Sequence, residues 1–519
     1  MPHSEYIETL IIGAGLTGLT TAFHLKRANR PFRVIEKEAI TGGAIRTHQK
    51  NGFIYEEGPN TGVVSNPEVS ELFTLLSTPD AATKPRQTPP QTASRKEAAS
   101  SRKEAVLCRK EAVLCRFEAA AEAAKSRWIY KNGAFHPLPA GLLQAVSTPL
   151  FSPRDKAGIL LEPFRKKGTN PDESVADLVK RRLGQSFLDY AVDPFISGIY
   201  AGNPEALITR VALPKLYRLE QEYGSFIAGG FAKATKRKSP REKLATRQVF
   251  SAHGGLQNLI EALTAEVGPE AILCNTHIEE IIPLKSDGLP FGEQGGANRV
   301  PPRKISDHIS GYEVVFSQNG QTHRLRCRNL VSTVAAHQLR GVVPFIGEES
   351  LSRLESLEYA PVVQVAAGYP TLPAQRFNAF GGLVPRIENR DILGVLFPSS
   401  CFAQRAPEGG SLFSFFLGGV RKPHLTRLSD REIVALVEKE CRELLGIEPH
   451  HKPSLMELFR YPAAIPQYGA GHDQRCLTIE QLQTRYPGLI LAGNQRNGIG
   501  MADRILQATH IAGTIVQTR

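Results

Sequence analysis

The chain opens with an apolar, β-rich run, YIETLIIG, followed by a glycine turn, GAGLTG, and then by LTTAFHLKRA, whose apolar residues fall at helical spacing. A second β-rich segment, PFRVIEK, comes next, and the order strand, turn, helix, strand predicts a βαβ unit. From Trp128 to about Lys238 helical segments are punctuated by Pro and Gly. Alternation returns from about Glu270 to Val334 (AILCNTHIEEIIPL, GYEVVFS, LRCRNLVSTV) and predicts antiparallel strands, interrupted by a Gly/Pro-rich loop from Ser286 to Pro302. A second β-rich block, from about Pro361 to Gly419, precedes a predicted helix from about Ser429 to Leu445. The closing segment, GLILAGNQRNGIGMADRILQATHIAGTIV, again reads as strand, glycine turn and helix.

One stretch breaks this pattern. From Pro79 to Lys125 the composition shifts to Pro, Thr and Gln and then to a tandem repeat in which Arg95, Arg102, Arg109 and Arg116 recur every seven residues. Its Ala-Val-Leu positions come in adjacent blocks without three-and-four spacing, so it predicts an exposed helix or a disordered insertion and no coiled coil. A surface expansion of this kind needs no function, because exposed loops tolerate insertion. Cys108 and Cys115 fall on one side of such a helix, yet two thiols do not complete a four-ligand zinc site.

With 519 residues, 41% hydrophobic and 22% charged, the chain is long enough for two to four packed units and is neither disordered nor collagenous. It has no apolar run of spanning length and no leader-like start, and the seven cysteines are scattered without a Cys-x-x-Cys. Reduced thiols in a cytosol-like compartment are therefore expected. The net charge is +12, but the window Lys84 to Lys125, with ten Lys or Arg against five Glu, supplies +5 of it. With one Trp and no recognisable module, the chain is not read as a nucleic-acid binder. The fourteen His are dispersed, His450-His451 lacks a spaced third ligand, and there is no Gly-x-Ser-x-Gly elbow. Neither a metal site nor hydrolase chemistry is supported.

The chemistry points elsewhere. Gly13-x-Gly15-x-x-Gly18 directly follows the first strand and opens the first helix, and Glu36 ends the second strand eighteen residues beyond Gly18. Such glycines let backbone approach a pyrophosphate at a helix N-terminus, while the acid accepts hydrogen bonds from an adenosine ribose. The glycine pattern alone leaves NAD and FAD open. Thr41-Gly42-Gly43-Ala44-Ile45-Arg46-Thr47 resembles the extension found in the amine-oxidase-like flavoprotein superfamily, where it contacts the FAD phosphates and the flavin end. Gly58-Pro59-Asn60-Thr61 is similar to the superfamily's turn beside the isoalloxazine. Ala492-Gly493-Asn494 and Gly498-Ile499-Gly500-Met501 resemble its closing segment, whose helix N-terminus faces the flavin pyrimidine carbonyl. The resemblance implies FAD held by Gly13, Ala14, Gly15, Leu16, Thr17, Gly18, Glu36, Lys37, Gly43, Ala44, Arg46, Gly58, Pro59, Asn60, Thr61, Ile278, Asn494, Ile499, Gly500 and Met501.

Within that superfamily, Asp193-Pro194-Phe195-Ile196-Ser197-Gly198-Ile199-Tyr200-Ala201-Gly202-Asn203 resembles the porphyrinogen oxidase family. So do Leu219-Glu220-x-x-Tyr223-Gly224-Ser225, Phe250-x-x-x-Gly254-Gly255-Leu256-Gln257, and Ala464-Ile465-Pro466-Gln467-Tyr468 with Gly471-His472. The resemblance implies oxidation of protoporphyrinogen IX or coproporphyrinogen III to the porphyrin in late haem biosynthesis. Six electrons leave the macrocycle and a flavin carries two, so three rounds are implied, with O2 as acceptor and H2O2 released. No dedicated acid/base pair is demanded, and no catalytic side chain is named. Arg127 falls where the family places a propionate-binding Arg, and Leu383 and Phe402 resemble the residues that sandwich the ring. Two departures stand out: Ala335 where relatives often have Pro, and the polar pair Gln495-Arg496 in the closing turn.

The expected fold is α/β. A discontinuous Rossmann-type FAD domain (1–77, 238–334 and 456–519) joins a β-rich substrate domain (335–455) and a helical domain (126–237) that closes the pocket, with 79–125 as the insertion. In relatives the helical domain touches the membrane, and here the LPAGLLQAV and PLF loops with Arg154, Lys156, Arg165, Lys166 and Lys167 suit peripheral contact with anionic lipid on its inner face. A homodimer is left open. An amine oxidase, a carotenoid desaturase and an inactive FAD-fold scaffold are the competing expectations; the Ser197 to Asn203 motif argues against the first two, and the retained glycines against the third.

Overall fold

A computed structural model describes residues 5–77, 115–139, 144, 147–235, 237–285 and 309–518. The first strand, Glu5–Ile12, pairs in parallel with Phe32–Ile35 on one side and Gln321–Ser332 on the other. Ile272–Leu273 and Leu489–Leu491 extend the parallel set. Thr276–Lys285, Ile309–Gln318 and Gln321–Ser332 form an antiparallel meander at that edge, as their alternation predicts. Parallel strands covered on both faces are apolar without alternation. Accordingly Leu10, Ile11 and Ile12 are all buried. Ile11 and Val34 pack with Leu19 and Phe23 of helix Leu16–Arg27, Ile260 of Gln257–Val267 and Ile505 of Met501–Gln517. Leu10 and Ile12 share the opposite core with Ile479 and Leu482 of helix His472–Arg485.

A second sheet has seven strands in the order Leu455–Pro466, Tyr359–Tyr369, Ser411–Gly418, Gly394–Leu396, Gly381–Leu383, Trp128–Lys131 and Ala134–Pro137. Helix Asp430–Glu443 starts at a capping box in which Ser429 and Glu432 satisfy each other's backbone amides. Its Ile433, Val437 and Cys441 cover Val363, Val365, Phe413 and Phe415 of the sheet. The helices Val175–Arg182, Asp193–Tyr200, Pro214–Tyr223 and Phe226–Thr235 share a core of their own around Val175, Ile196 and Tyr200. Arg182 of the first of these and Glu162, both fully buried, form an ion pair, and the Glu162 carboxylate also accepts the Ser225 hydroxyl and the Phe226 amide.

Several expected boundaries move. Trp128–Lys131 and Ala134–Pro137 fall inside the expected helical domain, yet Trp128 pairs with Gly382 and the hairpin belongs to the second sheet. Leu455–Pro466 runs antiparallel to Tyr359–Tyr369, so it too belongs to that sheet and not to the dinucleotide-binding part. The tail of the repeat is folded: Cys115 is buried in the first core, and Phe117–Ala119 pairs with Val249–Ala252. Arg95, Arg102, Cys108 and Arg109 lie outside the described residues, as does most of the LPAGLLQAV loop. The PLF loop is not a surface feature, because Leu150 and Phe151 are buried against Ile129 and Ala191. The exposed apolar side chains come one helix later, at Leu160, Leu161 and Phe164. No described helix is long and apolar enough to cross a membrane.

Candidate active site

The carboxyl ends of the parallel strands meet the second sheet and helix Asp193–Tyr200 around a cavity of about 560 Å3. In open α/β sheets this end of the strands is where ligands bind. The glycine turn shows why the residue type is needed. Gly13 has φ +100°, and a Cβ there would lie 2.6 Å from the Thr333 hydroxyl, which itself donates to the Ile12 carbonyl at 2.9 Å. At Gly18 a Cβ would lie 1.9 Å from the Gly13 carbonyl oxygen, so the first helix can press against the turn only without a side chain.

Gly15 differs from both. A Cβ there would meet no atom within 4 Å, because it would point into the cavity. Gly15 also gives the first-turn amides of helix Leu16–Arg27 no side-chain acceptor. An uncapped helix N-terminus over open space suits a pyrophosphate. Beside it, the buried Glu36 carboxylate accepts the Ala14 amide at 2.7 Å and the Glu38 amide at 3.0 Å, which fixes the acid at the end of the second strand. The second glycine pair stacks on the first: the Gly42 amide donates to the Ala14 carbonyl at 2.9 Å, and a Cβ on Gly43 would lie 3.4 Å from the Gly15 Cα.

The far end of the cavity is made by the turn Gly58 to Thr61 and by the closing turn before helix Met501–Gln517. Asn60 accepts the Ser414 hydroxyl at 2.8 Å, which ties the first of these turns to the second sheet. The Tyr468 hydroxyl donates to the carbonyls of Asn494 and Gly498 at 2.7 and 2.9 Å. Burial pushes the pKa of this phenol up, so it stays a donor. Ile199, Val362, Leu393, Leu396, Phe416 and Ile465 give this end an apolar wall.

Of the residues expected to hold the cofactor, Gly15, Leu16, Thr17, Gly43, Ala44, Gly58, Pro59, Asn60, Thr61, Asn494, Ile499, Gly500 and Met501 line the cavity. Gly13, Ala14, Gly18 and Glu36 build the turn behind it. Three lie off it. Lys37 is exposed and 3.6 Å from Glu38, Arg46 opens the strand opposite Glu57, and Ile278 pairs with Phe316 in the meander.

Arg127, Leu383 and Phe402 are not on the cavity wall either. Leu383 stands directly behind it, since a Cβ on the cavity-lining Gly198 would come 2.4 Å from Leu383 Cδ2. Arg127 is half-buried with its guanidinium 5.5 Å from the Phe380 ring centre, and burial pushes its pKa down. Phe402 is buried with Ala124, Val249 and Cys401, under the Arg405 guanidinium at 5.4 Å. Sequence reasoning missed Thr333, Gln364, Tyr461 and Arg504 on the wall. The strand Tyr359–Tyr369 is apolar and buried at nearly every position, so its pattern does not say which face meets the cavity, and Arg504 reads as an ordinary polar position of a helix.

A family model described as flavin containing amine oxidoreductase matches residues 16–515. The chain belongs to that family. Protoporphyrinogen oxidase 2 of Arabidopsis thaliana is 26% identical over 526 residues, covering 98% of this chain and 93% of the relative. Coproporphyrinogen III oxidase of Bacillus subtilis is 25% identical over 520 residues, covering 96% and 95%. The crystal structure of a provisionally named protoporphyrinogen oxidase from Exiguobacterium superposes with a TM-score of 0.70 at 20% identity, covering 100% of both chains. The protein is thus an oxidoreductase with an α/β flavoprotein fold, and its cofactor is FAD. The open cradle at Gly15, the uncapped helix and the fixed Glu36 fit that group.

Proposed function

We propose that the protein oxidises a porphyrinogen, protoporphyrinogen IX or coproporphyrinogen III, to the porphyrin. The observation that carries this is the wide apolar wall beside the flavin-end turn, in a chain whose relatives of both names span nearly its whole length. Bound FAD supplies a two-electron acceptor, so a six-electron oxidation takes three rounds, each closed by O2. The chain's own task is to hold a flat apolar disc dry and in register. Ile199, Leu393, Leu396 and Phe416 exclude water from its face, and Leu383 sets the position of Gly198 from behind. Arg127 has no carboxylate partner among the described residues, and its half-buried cation on Phe380 would take a propionate of the substrate. Phe402 acts on the same region by packing beside Cys401 and Ala124, next to the Arg127 segment.

Peripheral membrane contact is part of the proposal. Leu160, Leu161 and Phe164 are exposed beside Arg154, Lys166 and Lys167, an apolar tip with a basic surround that suits an anionic lipid surface. The experiment for the reaction is anaerobic mixing of the yellow protein with each porphyrinogen. Loss of the flavin absorbance with at least one of them supports the proposal; an unchanged spectrum with both rejects it.

A further inference from the structure

Among the described residues, ten other than glycine hold a left-handed backbone, with φ between +47° and +63°. Seven of them are Asn, whose short polar side chain tolerates that conformation, and all ten but Ala201 are exposed. Ala201 caps the C-terminus of helix Asp193–Tyr200 at φ +47° and ψ +29°, and it is 3% exposed. An alanine has no polar group to offer in return for the crowding of its Cβ. Buried strain of this kind persists only where surrounding contacts over-determine it, and it gathers at functional sites.

The contacts that impose it lie on both sides. The Ala201 carbonyl accepts the Val420 amide at 2.9 Å, and a Cβ on Gly419 would lie 2.6 Å from that carbonyl oxygen. One residue earlier, the Tyr200 carbonyl accepts Gln467 Nε2 at 2.8 Å; one residue later, a Cβ on Gly202 would lie 2.6 Å from Gln467 Oε1. The helix end is thus locked to the chain just beyond strands Ser411–Gly418 and Leu455–Pro466. Ala201 shares a cluster with Ala360 and Val362, against which Leu393, Phe416 and Ile465 pack. All of these except Ala360 are wall residues of the cavity, and so are Gly198 and Ile199 of the same helix.

One strained turn therefore places a methyl inside the apolar wall and ends the helix that brings Gly198 and Ile199 to the same cavity. Glycine would take this φ freely, but it would leave a gap beside Val362 and let the helix end shift. We propose that Ala201 is a positioning residue: its methyl, seated in the wall by the left-handed backbone, sets the width of the apolar slot between Ile199 and the wall of Val362 and Phe416. This rests on the reading of the substrate as a porphyrinogen, whose broad apolar ring the slot would grip.

Ala201→Gly tests it. Trp128 is the single tryptophan of the chain, so its quenching by added protoporphyrin IX or coproporphyrin III reads binding without turnover. Glycine relieves the left-handed strain while losing one methyl contact and freeing the unfolded chain, so the melting point should stay close to wild type. Porphyrin affinity and kcat/KM for the porphyrinogen should each fall by about fourfold or more, the equivalent of one buried methyl, with FAD affinity unchanged. Porphyrin affinity and kcat/KM equal to wild type overturn the proposal. They do so equally if the melting point has dropped, which would show Ala201 to be a packing residue and nothing more. Should Ala201→Gly fail to fold, Gln467→Met decides, because Gln467 is not on the cavity wall and the change removes only the donor to the Tyr200 and Ile465 carbonyls. A weaker porphyrin affinity in that variant supports the proposal, and an unchanged one overturns it. A wild type that neither binds the porphyrins nor oxidises the porphyrinogens overturns the substrate reading and this inference together. A wild type that does both, matched by Ala201→Gly, removes this inference alone.

Discussion

The side-chain oxygen of Gln364 accepts the Gly58 amide at 3.0 Å, and the same side chain donates to the Glu56 carbonyl at 2.7 Å. Gln364 is 1% exposed and lies mid-strand in the second sheet, so one amide group fastens that sheet to the cavity-lining turn Gly58 to Thr61. Gln364→Leu would leave a buried N–H and a buried C=O without partners, each costing about 1–3 kcal/mol. A lower thermal midpoint and a weaker FAD affinity are expected together, checked by melting and by flavin titration of the apoprotein.

Gly15 and Gly18 separate binding from folding. Gly15→Ala adds a methyl that meets only cavity space, so the apoprotein should melt near wild type while FAD affinity falls at least about tenfold, the equivalent of 1.4 kcal/mol. Gly18→Ala drives a methyl into the Gly13 carbonyl and should lower the melting point even without FAD. Differential scanning of both apoproteins distinguishes them.

His472 predicts a stability change with pH. Burial first, then Arg475 and Arg210, hold its pKa down at about 4 against an ordinary 6.5, with Asp473 opposing; Cys476 Sγ lies 3.4 Å away and the Tyr468 ring is tilted against it at 4.8 Å between centres. Between these values the unfolded chain takes up a proton that the folded chain refuses. Stability from this residue is therefore undiminished above about pH 6.5 and is lost as the pH falls toward 4. His472→Asn should flatten that part of the curve, seen as a smaller change in urea midpoint from pH 7 to pH 5 than in wild type.

The parts of this fold legible in the sequence are those with local signals. The turns at Gly13 and Gly493 need positive φ, so glycines mark them, and spacing fixes the strand before and the helix after. The hairpin Trp128 to Pro137 carries the same local signal as any short strand, but its pairing with Gly381–Leu383, some 250 residues away, has none. Burial of Leu150 and Phe151 was hidden for the same reason, since Ile129 and Ala191 that cover them come from other elements. At the site, the glycine cradle was legible and the electrostatics were not: Arg504 and Gln507 look like surface positions until the helix N-terminus is seen to end inside the cavity.

The exposed tip at Phe164 makes a prediction about location. Phe164 is 84% exposed, so Phe164→Asp should leave the unfolding free energy within about 0.5 kcal/mol of wild type, as surface changes do. Co-sedimentation with vesicles rich in anionic lipid should fall several-fold in the variant; equal sedimentation of both proteins would remove this tip from membrane contact.

The central claim is tested most directly by aerobic turnover. The purified holoprotein is mixed with protoporphyrinogen IX and, separately, with coproporphyrinogen III, and porphyrin fluorescence and peroxide are followed together. Fluorescence should rise with at least one substrate, with three peroxides formed for each porphyrin. Arg127→Ala should raise KM by about tenfold or more while the flavin spectrum stays unchanged. No fluorescence from either substrate, with FAD bound and reducible, would contradict the assignment of a porphyrinogen oxidase.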